Sequence, residues 1–129
     1  MDTKDDEIKL IDIQIIATII YILSLFISYI ITYNDKCEIL NEQPIMDEKT
    51  SQNISIFNRV VVVVLTLTFL YINYTNINIA KRKKEKNLTP FKLQVLASEL
   101  STLAAIIVLY TVITSGEYSI IAGAENPSL

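Results

Sequence analysis

No histidine occurs in this sequence, and cysteine occurs once, as Cys37. The first absence removes imidazole-ligated zinc and haem sites and every histidine-based catalytic triad. The second leaves no pair for a disulfide within the chain. Cys37 is expected as a free thiol beside a helix, with pairing to a second chain or lipid modification as the alternatives. Glycine is present only at Gly116 and Gly123, too few and too far apart to build a phosphate-cradling loop. With three prolines in the whole chain, little remains to make β-turns, so the composition fits an all-β fold poorly. No catalytic set, cofactor or metal site is expected.

What the chain has in abundance is hydrophobic residues, 51% of the total, gathered into three long blocks. A soluble core would distribute them at helix or strand period, whereas bunching on this scale predicts membrane spans. The expected fold is a single all-α domain over residues 1–129, an integral membrane protein with three transmembrane helices at about 10–33, 58–80 and 91–114. Each block is long enough for a hydrocarbon core of roughly 30 Å at about 1.5 Å per residue. Between them lie an acidic loop at 34–55, broken by Pro44, and a basic loop at 81–90. A short apolar tail, 116–129, is expected to lie in the interface or dock on a partner. Thr89 is placed as an N-cap of the third helix, with Pro90 in its first turn.

Charge is polarised along the chain, so the formal net charge of −3 averages over two opposite surfaces. Lys81, Arg82, Lys83, Lys84 and Lys86 form a run broken only by Glu85, while Asp35, Glu38, Glu42, Asp47 and Glu48 dominate the other loop. A basic cluster of this kind anchors topology on the cytoplasmic side and attracts anionic headgroups. It predicts a cytoplasmic N-terminus and a C-terminus on the opposite side. Nucleic acid is not expected as a partner. Arg59, just inside the second block, is expected to snorkel to the headgroups or to pair with a carboxylate of the acidic loop.

Small and polar residues fall at steps of three and four in two of the blocks. Gln14, Ala17, Tyr21, Ser24, Ser28 and Thr32 line one stripe of the first, and Gln94, Ser98, Ser101 and Ala105 one stripe of the third. Such stripes let helix backbones approach closely, so Ser24, Ser28, Ser98, Ser101 and Ala105 are read as packing seams. Antiparallel threading brings Glu99, Asp12, Gln14, Tyr74 and Asn78 to similar depths and predicts a polar layer in the half near the basic loop, the other half being aliphatic. Glu99 is its focus. Buried in a span, it serves either as a structural tie, bonded to Tyr74 or Gln14, or as a proton or cation carrier.

These features point to a non-catalytic subunit with a structural or assembly role in a larger membrane-associated complex, such as a viral membrane component or an accessory subunit. Its partners would be the lipid bilayer and other membrane or peripheral subunits, further copies of itself included. The reading from a different class is an oligomeric pore former or ion-coupled transporter subunit built around Glu99. The chain has the size of a three-span phage holin, but its basic cluster lies between spans two and three and not at the C-terminus.

Overall fold

A computed structural model describes residues 3–114. The apolar tail expected at 116–129 lies outside the described residues. Three helices follow one another, α1 (Thr3–Ile39), α2 (Glu48–Arg82) and α3 (Thr89–Thr114), each long and apolar enough to cross a bilayer. α1 and α3 both pack on α2 and make no close backbone contact with each other. α2 is therefore the centre of an open layer.

The helices overrun the apolar blocks because both connections are tightly built. Only residues 40–47 of the expected 34–55 loop are non-helical. α1 ends where Asn41 adopts a positive φ of 56°. The Glu42 N–H then donates to the Cys37 carbonyl at 2.9 Å and the Asn41 N–H to the Glu38 carbonyl at 3.2 Å. This paired arrangement closes a helix end with its last carbonyls satisfied. Asn34, inside α1, accepts from the Met46 N–H at 3.0 Å and ties the loop down. Asp47 then caps α2, its Oδ1 accepting from the Thr50 N–H at 2.8 Å. Hydrogen bonds from the Thr50 hydroxyl, then from its N–H, hold this carboxylate below its ordinary pKa.

The second connection repeats the device. Lys84 takes a φ of 58°, the Glu85 N–H donates to Ala80 at 3.0 Å and the Lys84 N–H to Lys81 at 3.1 Å. Asn87 fills the capping role expected of Thr89, accepting the Thr89 N–H on Oδ1 at 3.1 Å. Thr89 is instead the first helical residue.

Helix pairing follows a seven-residue repeat. Leu10, Ala17, Ser24 and Ile31 are buried on α1, and Ser51, Asn58, Leu65, Ile72 and Ile79 on α2. A repeat of seven keeps one face turned to a partner along a left-handed pairing of helices. The buried positions depart from the expected stripes at two places. On α1 the seam passes from Ser28 to the fully buried Ile31, leaving Thr32 exposed. On α3 it passes through Val95, Ser98, Thr102, Ala105 and Val112. Ser98 and Ala105 are thus buried as read, whereas Ser101 and Gln94 are exposed and Thr102 and Val95 hold the buried places.

Candidate functional site

Two polar regions stand at opposite ends of the α1–α2 pair. Towards the 40–47 loop the seam is sealed. The Ser24 hydroxyl donates to Asn58 Oδ1 at 2.7 Å, and Asn58 Nδ2 donates to Ser28 Oγ at 2.9 Å. Asn58 is 0% exposed, and short hydroxyls opposite it allow the close approach that such bonds need. Asn34, Asp35, Ser51, Ser55 and Arg59 are buried at the same end. Arg59, only 2% exposed, does not snorkel to the surface. Cys37 is a free thiol and also buried. Ser24, Ser28, Asn58 and Arg59 thus place buried polarity in the half of the spans expected to be aliphatic, and Asn34, Asp35, Ser51 and Ser55 lie in helical residues expected to be loop.

Towards the basic loop the seam is apolar, with Leu10, Ile72 and Ile79 packed together against Ile13 and Phe69. Beside it, where α1 and α3 make no close backbone contact, a cleft of about 460 Å³ lies between α1 and α3, floored by α2. Its walls carry carboxamides from all three helices, Gln14, Asn73, Asn76 and Gln94. On its α3 side the Asn73 amide donates to the Ser98 hydroxyl. At the mouth, Lys83 pairs with Glu7, and Arg82 Nη2 meets Asp6 Oδ2 at 2.9 Å. The acidic first turn of α1 thus serves two purposes, facing the positive end of its own helix and neutralising part of the basic run. Each pair is partly solvent-exposed and is worth about 0–1 kcal/mol. Lys81, Lys84 and Lys86 stay exposed.

Of the expected polar layer, the structure joins two members. Tyr74 Oη donates to Glu99 Oε1 at 2.8 Å. The pair bridges α2 and α3 on an outward flank, and Tyr74 is 48% exposed. Gln14 lines the cleft, and Asp12 and Asn78 are exposed. Asp12 and Gln14 belong to α1, which has no close backbone contact with the helix carrying Glu99. Among the described residues, no three side chains of the metal-ligating types come together.

The chain matches no known family. Comparison with curated proteins and with solved structures likewise gives no match.

Asn58, Asn73 and the two ion pairs are among the site residues that the sequence alone did not mark. Asn73 and Ser98 lie on neighbouring antiparallel helices at matching depth, as Tyr74 and Glu99 do, and depth matching applied to every carboxamide finds them. Asp6 and Arg82 are 76 residues apart, and only the rotation of α1 about its axis brings them together.

Proposed function

We propose that this is a small multi-pass membrane protein without catalytic activity, acting as a structural or assembly subunit of a larger membrane complex. The observation that carries this reading is the Tyr74–Glu99 bridge. A carboxylate on an outward flank of apolar helices is costly against lipid. Docking of another subunit over that flank removes the exposure without disturbing the tie. The neighbouring surface suits such a role, since Phe57, Val60, Val64, Leu67 and Tyr71 continue the same exposed face of α2.

In this reading the basic loop and the N-terminus lie in the cytoplasm, as the excess of lysine and arginine there requires. The Asp6–Arg82 pair leaves both on one side of the layer. A cysteine at Lys84 and another at Gln43, in a Cys37→Ser background, should label from opposite faces of sealed vesicles. Labelling of both from one face would remove the three-span threading.

The second reading, a pore or ion-coupled subunit, rests on the same Glu99 and is separated by its titratable proton. Glu99→Gln keeps size and hydrogen-bonding capacity. A tie survives that change, so assembly should stay near wild type, while Glu99→Leu should weaken it by about 1 kcal/mol, the scale of one interhelical bond. Oligomeric state and liposome ion flux are measured for the three proteins together. If wild type conducts and Glu99→Gln does not, with assembly unchanged, the transport reading replaces the structural one.

A further inference from the structure

The cleft at the basic end has an ordered lining that the assembly role does not use. Lys83, Asn76 and Phe69 stand seven residues apart on one face of α2 and all line it, at intervals of about 10 Å. A charge, a carboxamide and a ring therefore follow one another from the mouth inwards. The other walls keep the same order. Glu7 precedes Gln14 on α1 by the same seven residues, and Glu85 and Phe91 lie near the mouth where Gln94 of α3 faces deeper in. The space, about 460 Å³, is within the roughly 300–1,000 Å³ usual for small-molecule sites.

We propose that the cleft holds the headgroup, the glycerol and the upper part of one acyl chain of a phospholipid, the rest of the lipid lying in the bilayer outside it, with an aminophospholipid of the ethanolamine class preferred. This inference rests on the membrane reading above. The sequence of groups is that of a lipid entering from the interface, which occupies only about 5–8 Å on each side of the hydrocarbon core. Charged groups meet the headgroup, the carboxamide N–H groups of Gln14, Asn76 and Gln94 meet phosphate and ester oxygens, and Phe69 and Ile72 meet the acyl chain. Headgroup preference follows from charge. Lys83 pairs with Glu7 and Glu85 adds a carboxylate to the lining, while Lys81, Lys84 and Lys86 of the basic loop lie outside it and attract the phosphate. A headgroup that carries both a phosphate and an ammonium satisfies both signs. A primary ammonium donates charge-assisted hydrogen bonds to a carboxylate. A quaternary ammonium has no proton to give, and a glycerol headgroup has no cation. The gap between α1 and α3 opens the cleft sideways, along the plane in which lipid diffuses.

The test uses the full chain reconstituted in vesicles of equimolar phosphatidylethanolamine, phosphatidylcholine and phosphatidylglycerol. Flotation of the vesicles reads the membrane assignment. Native mass spectrometry after mild detergent extraction reads the retained lipid. One phospholipid per chain is expected, with phosphatidylethanolamine enriched over phosphatidylcholine by about fivefold, the equivalent of one partly exposed ion pair. Glu85→Gln, a change in an exposed loop, should bring that ratio to about unity. Asn76→Leu combined with Gln94→Leu should empty the cleft while leaving helical content and flotation unchanged. Failure to float would overturn the membrane reading and this site together. Flotation with equal retention of the three lipids, or with phosphatidylglycerol preferred, would overturn the site alone. So would a dimer that the Asn76→Leu, Gln94→Leu protein loses, since the cleft would then hold a helix.

Discussion

The two ends of the α1–α2 pair bury opposite kinds of side chain. Near the 40–47 loop, Ser24, Ser28 and Asn58 satisfy one another at 0% to 6% exposure. Near the basic loop, Leu10, Ile72 and Ile79 make the contact and the polar side chains line a cleft or face outwards. At the serine–asparagine contact itself length matters as well as polarity, although Arg59, a long side chain, is also buried at that end. Serine and asparagine are short enough to stay between two close backbones and still reach a partner. Glutamine, tyrosine and glutamate are not, so Gln14, Tyr74 and Glu99 stand where there is room. Branched aliphatic groups make the contact there instead, and the cleft lies beside them.

The strongest way to break this contrast is to make the same kind of substitution at both ends. Ser24→Leu inserts a large group into the sealed seam and removes a hydrogen bond, and should destabilise the protein by about 2–4 kcal/mol. Gln14→Leu, ten residues earlier on the same helix but beside the cleft, should stay within about 0.5 kcal/mol of wild type. Unfolding in detergent micelles, followed by circular dichroism, compares them directly. Similar losses at the two positions would mean that the ends are packed alike.

Three helices were legible because three apolar blocks of sufficient length leave few alternatives. Their ends were not, since Asn41 and Lys84 turn the chain with two hydrogen bonds each and let the helices continue through charged residues. Ser24, Ser28, Ser98 and Ala105 were legible as seam positions because small side chains mark close approach. Ser101 was read in place of Thr102 because a polarity stripe drawn at steps of three and four cannot fix the helix rotation to better than one residue. The seam of α2 gave no such signal. Its positions at intervals of seven are Ser51, Asn58, Leu65, Ile72 and Ile79, polar at one end and apolar at the other, so no single composition identifies them. The Tyr74–Glu99 bridge was within reach of depth counting alone, as one of two partners open to Glu99.

A smaller effect sharpens the comparison at the two turns. Both close with a non-glycine residue at positive φ, Asn41 at one end and Lys84 at the other. Asparagine tolerates that conformation and lysine does so at a cost of about 1 kcal/mol. Lys84→Gly should therefore raise stability by up to about 1 kcal/mol, while Asn41→Gly should change it by only a few tenths. The same micelle titration reads both, and an equal gain at the two sites would show that the lysine carries no special strain.

The absence of close contact between α1 and α3 sets an order of assembly. Among the described residues, every helix makes its close backbone contacts with the neighbour that precedes or follows it in the chain. During synthesis the α1–α2 hairpin has all of its own contacts available before α3 has been made, and no early segment waits for a distant one. Loops of this length cost little entropy to close. α3 then joins a surface that is already formed, so the molecule grows by addition in the direction of translation.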